Sequence, residues 1–169
     1  TALHSMMEAA LATDPDWVTE KELSMGGITK GRSDAYHVPT KTVTDWKFSS
    51  ASVIATYKRE GVSEQYQAQL DVYGFGFVEA GWPVENVAIV FIPGDSTIDK
   101  RWGWSSPYDH ERAQGRLDRY TKLVDYVNSG QEPGSLPKTP DRYCNHCPFF
   151  GGTLCSGPLK SRGGLLNSF

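Results

Sequence analysis

Two aspartates and a lysine offer the most specific chemistry in the chain. Residues 28 to 48 hold two strand-like runs about a turn near Pro39 and Thr40, with Asp34 on the first run and Asp45 and Lys47 on the second. A tight turn there makes Asp34 and Asp45 equidistant from it, so their carboxylates face each other across a hairpin, roughly 5 Å apart at Cβ. Like charges directly opposite repel, which requires a cation between them. Lys47, two residues beyond Asp45, shares its face of the strand. A divalent metal held by such carboxylates, with a lysine beside the attacking water, is a device for cleaving phosphodiesters. Taken alone, Asp-x-Lys more often marks a solvated hairpin face, so the surrounding elements decide.

Those elements follow in order. Thr1 to Ala12 carries Ala2, Leu3, Met6, Met7, Ala10 and Leu11 at helical spacing, and Asp14-Pro15-Asp16 ends the helix. His4 and Glu8 lie one turn apart on one face of it, a pair that alone is more often a surface hydrogen bond than a site. Alternation from Glu22 leads past Gly26-Gly27 and Gly31 into the hairpin, and the stretch from Phe48 to Gly61 reads as a polar loop. Ser63 opens a second helix with Tyr66, Leu70, Tyr73 and Phe77 as its buried stripe and Gly81 as its terminator. Gln69 sits at the edge of that stripe, one turn before Tyr73.

Val87 to Ile92 is a continuous apolar run that fits a central strand buried on both faces, and an aromatic strand follows near Arg101 to Ser105. Ser106-Pro107-Tyr108-Asp109 has the form of a helix start, with the serine as cap. The helix then runs through Ala113, Leu117, Tyr120, Val124 and Val127 to Gly130. This order predicts an α/β fold, a mixed central sheet with flanking helices, over residues 1–130. Residues 131–169 read as a Pro/Gly-rich linker and a cysteine-rich tail.

With 38% hydrophobic and 12% aromatic residues in 169, the chain has an ordinary globular composition, which excludes a disordered chain. It shows neither a membrane span nor a secretory signal, which predicts a cytoplasmic protein. Charge is uneven: residues 1–110 hold 9 Lys+Arg against 15 Asp+Glu, and residues 111–169 hold 8 against 5. Arg112, Arg116, Arg119 and Lys122 recur at helical spacing, as a phosphate-facing stripe or a solvated face would. Cys144, Cys147 and Cys155 form an odd, tight cluster, which favours metal or cluster ligation over a disulfide framework.

Together these pieces resemble the RecB-like branch of the PD-(D/E)xK nucleases, in particular the iron-sulfur exonucleases of the fourth CRISPR-associated (Cas) protein family and the RecB and AddB nuclease domains. His4-x-x-x-Glu8 resembles the first motif of that branch, Gly31-Arg-Ser-Asp34 its Gly-x-x-Asp, and Asp45-Trp46-Lys47 its (Asp/Glu)-x-Lys. Gln69-Leu70-x-x-Tyr73 resembles its Gln-x-x-x-Tyr helix, and Cys144-x-x-Cys147 with Cys155 its C-terminal cysteines. The resemblance spans most of the chain.

The resemblance implies a restriction-endonuclease-like core that degrades DNA from free ends, single strands above all. Mg²⁺ or Mn²⁺ would be held by His4, Asp34, Asp45 and the Trp46 carbonyl. Lys47 would act in the transition state, Gln69 would orient it or the nucleophile, Tyr73 would contact DNA or buttress the site, and Glu8 would hold His4. The cysteines would bind a [4Fe-4S] cluster, although the fourth cysteine of that family lies before the position of Thr1. Zinc on Cys144, His146, Cys147 and Cys155, in a non-catalytic binding module, is the alternative, as is an endonuclease on the same fold. Trp102 and Trp104 are candidates to stack on bases, core packing being the competing role of at least one. Partners would be recombination or CRISPR-adaptation proteins of a bacterial, archaeal or phage-infected cell.

Overall fold

The computed structural model describes residues 2–132, with side chains from His4 onward. The first of two compact units is Thr1–Thr121; the second starts at Lys122, within the last helix. The elements are α1 (Ala2–Leu11), β1 (Trp17–Met25), β2 (Thr29–His37), β3 (Thr42–Ser49), α2 (Ala51–Glu60), α3 (Glu64–Glu79), β4 (Asn86–Pro93), β5 (Trp102–Pro107) and α4 (His110–Asn128). The five strands form one sheet in sequence order. Its pairs are antiparallel except β3 with β4, which run parallel in register from Thr42↔Asn86 to Ser49↔Pro93. Short turns impose the antiparallel pairs, whereas the parallel pair needs a long crossover, supplied by α2 and α3. The mixed sheet with flanking helices expected from the order of elements is what forms.

The core lies chiefly between the sheet and α3. Val43, Val87, Ile89, Phe91 and Phe77 have no exposed surface, and Leu23, Tyr36 and Leu70 are buried with them. Each such side chain contributes about 1.5–3 kcal/mol by leaving water. On the opposite face Met7 and Leu11 of α1 pack against a smaller cluster of Ala35, Trp46 and Ile92. Coverage there is thinner, so Ala88 and Val90 stay half-buried, and β4 is not the fully enclosed central strand that its apolar run suggests. The centre of the sheet is β3, between two hairpin strands on one side and β4 and β5 on the other.

Three further expectations change. Residues 51–60 form a helix, not a loop, because the Ser50 hydroxyl accepts the Val53 N–H, Ile54 is buried and Gly61 closes the far end. Ser106 and Pro107 stay in β5; α4 begins at His110, with Asp109 accepting the Arg112 N–H at 2.8 Å as its cap. Trp102 and Trp104 both pack against the main core, with Trp102 stacked 5.7 Å from Phe91, so neither stands out as a free stacking platform.

Arg112 leaves the expected basic stripe for the same reason that α4 is held. Asp71, wholly buried on α3, accepts the Asp109 N–H and the Arg112 Nε–H, tying the start of α4 to α3. Gly74 completes the contact, since a Cβ there would come within 2.7 Å of the Tyr108 ring. Burial, with the Asp71 and Asp109 carboxylates nearby, pushes the Tyr108 phenol up to about 12, so it remains a neutral hydroxyl. Asp71→Ala strands both donors and should cost about 2 kcal/mol or more in urea unfolding, whereas Asp71→Asn, which keeps one acceptor, should cost less.

Candidate active site

The hairpin of β2 and β3 is short. Its ladder runs from His37↔Thr42 to Ala35↔Thr44 and stops, while β3 continues beside β4 to Ser49. Asp34 and Asp45 occupy the next cross-strand position, where the two strands fork. In place of a main-chain acceptor, Asp34 Oδ2 takes the Trp46 N–H at 2.8 Å. Asp34 therefore projects into the gap between the strands, filling a vacancy in the ladder with a carboxylate.

Asp45 lies on the α3 side of β3, 3% exposed. The Lys47 ammonium, on the same face, is 2.6 Å from Asp45 Oδ2. Lys47 supplies both the countercharge and the hydrogen bond to the buried Oδ2, and among the described residues no other group donates to it. Burial raises the Asp45 carboxyl to about 6; Lys47 opposes the rise and the Asp34 charge adds to it. Two like charges near one cation is the balance that the sequence pattern demands.

α3 closes this side. Gln69 Nε2 makes two long hydrogen bonds, to Asp45 Oδ1 at 3.5 Å and to the Tyr73 hydroxyl at 3.4 Å. The Tyr73 ring lies over Gly31 of β2, where a Cβ would stand 3.1 Å from it and 2.7 Å from Met25 Cε. Glycine lets the ring, and with it Gln69, come this close without displacing Met25 or Tyr73. Tyr66, which reads in the sequence only as part of a buried stripe, lies with its ring 5.5 Å from the Lys47 ammonium. The missed signal is its spacing: Tyr66, Gln69 and Tyr73 share one helix face.

From the other side α1 brings His4. Its Nε2 stands 3.3 Å from the Trp46 carbonyl oxygen and 3.9 Å from Asp34 Oδ2, and its ring packs edge-on against Phe48 at 5.4 Å. Glu8 is exposed. Among the described residues, no three His, Cys, Asp or Glu side chains stand close enough together to chelate an ion. In donor chemistry the fork nonetheless fits a hard or borderline cation: two carboxylates, a main-chain carbonyl and an imidazole. Cys144, His146, Cys147 and Cys155 lie outside the described residues. None of the described helices is long and apolar enough to cross a membrane.

No protein-family model matches the chain. No curated protein matches it in sequence. Solved structures do match in fold. SSO0001 superposes with a TM-score of 0.54 at 20% identity, covering 88% of this chain and 65% of its own. An alkaline exonuclease from Laribacter hongkongensis does so at TM-score 0.51 and 10% identity, and a phage-related exonuclease from Haemophilus somnus 129PT at 0.51 and 13%. Both of these alignments cover 76% of this chain and 69% of the exonuclease. The chain thus spans about two thirds of the length of each structure. At these identities the likeness is one of fold: this sheet with its flanking helices is the architecture on which those two exonucleases are built.

Proposed function

We propose that this chain is a divalent-metal-dependent deoxyribonuclease of the RecB-like branch that hydrolyses DNA from its ends. One observation carries the reading: a buried Asp45 carboxylate paired with Lys47 alone on its Oδ2, at a fork that gathers Asp34, the Trp46 carbonyl and His4. Its fold likeness to two exonucleases supports the reaction class. His4, Asp34, Asp45 and the Trp46 carbonyl would hold Mg²⁺ or Mn²⁺. A cation bound there would supply charge neutralisation for the scissile phosphate and would acidify a water.

The chain's own groups do the rest. Lys47, its ammonium fixed by Asp45, faces the phosphate oxygens as negative charge builds in the transition state. Gln69 keeps the Asp45 carboxylate from turning away, and Tyr73, seated on Gly31, holds Gln69. In the tail, Cys144, Cys147 and Cys155 would bind an iron-sulfur cluster, or with His146 a zinc ion, which iron and zinc analysis distinguishes. End-labelled linear DNA with Mn²⁺ or Mg²⁺, set against covalently closed circular DNA, tests the activity. Linear DNA should shorten from its ends and circles should persist; cut circles defeat the exonuclease assignment, and intact linear DNA defeats the nuclease.

Lys47→Ala should lower kcat by about 10²- to 10⁴-fold, as expected for a group acting mainly in the transition state, and leave Mn²⁺ affinity within a few-fold of wild type by calorimetry. Near-native turnover would remove Lys47 from the mechanism.

Asp45 gives a pH signature. Its carboxyl titrates near 6 in the fold against 3.8 when unfolded, so the stability it lends is full below about pH 4 and is lost as pH rises through about 6. Metal binding needs the ionised form, so Mn²⁺ affinity measured by calorimetry should rise with pH over that last interval and level off above it. Asp45→Asn cannot ionise; at pH 7 without divalent metal it should unfold about 1–3 kcal/mol harder than wild type while showing no cleavage.

A further inference from the structure

The β1–β2 hairpin changes faces part-way along. Near its turn Leu23 and Met25 of β1 join the α3-side core, and Gly31 of β2 faces Met25 and Tyr73 of α3. Further along, Val18 and Tyr36 also belong to that core, while Trp17 and Ala35 pack on the α1 side. Residues 18 and 23, and 31 and 36, are odd numbers apart, yet each pair shares a face; strict alternation forbids this. The cross-strand register is the same on both sides, with Leu23↔Gly31 and Val18↔Tyr36. Both strands therefore roll over by one residue without slipping.

The roll lies between Thr19↔Ala35 and Lys21↔Ser33, at the one position missing from the ladder, Glu20 opposite Asp34. Glu20 has φ 51°, in the left-handed region that non-glycine residues rarely enter. With unbroken alternation from Ser33, Ala35 would face α3 and Asp34 would point out on the far side. The roll seats Ala35 under α1 and turns the Asp34 carboxylate into the plane of the sheet, where it meets the Trp46 N–H and stands 3.9 Å from His4 Nε2. Among the described residues the polar partner of the Glu20 carboxylate is the exposed Arg32 guanidinium, at 3.4 Å, an ion pair of little weight.

From this we infer that Glu20 is a positioning residue: its left-handed backbone rolls the hairpin and aims Asp34 into the fork. Its bearing on catalysis rests on the nuclease reading; the geometry does not. Glu20→Gly and Glu20→Asn accept a positive φ, whereas the β-branched Glu20→Val resists it. The Trp46 amide, whose acceptor is Asp34, reports the outcome by hydrogen exchange, with Asp34→Ala as the reference for loss.

Glycine and asparagine should keep wild-type protection at Trp46. Valine should lower it about tenfold or more, as Asp34→Ala does, with the amides of Val43 and Ile89 unchanged. If valine prevents folding, Glu20→Ala replaces it and should move protection the same way by less. Full protection in the folded valine or alanine variant overturns the inference, as does equal loss in all the variants, which would assign the effect to the carboxylate. Mn²⁺ affinity across the same series should fall wherever Trp46 protection falls. A wild type that binds no Mn²⁺ defeats the nuclease reading and leaves the exchange result to decide the positioning role alone.

Discussion

The arrangement depends on a carboxylate kept almost out of water next to a lysine. Burying the Asp45 charge is costly, and one ammonium 2.6 Å away repays only part of it, which is why burial still dominates the carboxyl's proton affinity. Such a group survives only in a frame that the rest of the chain holds rigidly. The eight-residue parallel pairing with β4 and the core under α3 provide it, so β3 is at once the centre of the sheet and the strand that bears the charges.

The fork follows from the same strand. β3 has a partner along its whole length on the β4 side but along only three residues on the β2 side. Beyond Thr44 its β2-facing N–H and carbonyl groups would be unpaired inside the protein, a penalty that a buried backbone rarely bears. The Asp34 carboxylate takes the N–H of Trp46, and His4 stands at its carbonyl. Vacant ladder positions thus become the place where α1 and β2 each contribute one polar group.

Much of this was legible in the sequence because it rests on local periodicity. The stripes of α1 and α3, the two hairpin runs and the apolar run of β4 each register as patterns of two or of three to four residues, and they bring Asp34, Asp45, Lys47, Gln69 and His4 to neighbouring elements. What escaped is set by geometry that periodicity does not carry. α2 is polar and short, and it stands on a Ser50 cap and one buried isoleucine. The cap of α4 is Asp109 and not Ser106, because β4 holds Ser106 and Pro107 as strand partners of Val87 and Asn86. The roll at Glu20 leaves no mark, since a glutamate in a left-handed conformation has no sequence signature of the kind that glycine supplies.

α3 carries or contacts two buried aspartates, and their hydrogen-bond inventories separate structure from chemistry. Asp71 has a donor for each oxygen, the Asp109 N–H and the Arg112 Nε–H. A carboxylate so satisfied gains nothing from a further cation and serves to pin α4. Asp45 has one long hydrogen bond, from Gln69, and on its other oxygen only the Lys47 ammonium, which is itself aimed at the site. A carboxylate buried this far with a single ammonium for company costs free energy in every folded molecule where it is ionised. The cost is intelligible if Lys47 shares the carboxylate with a ligand that adds further positive charge, and a divalent cation is the ligand of that kind that also suits the Trp46 carbonyl and the His4 imidazole.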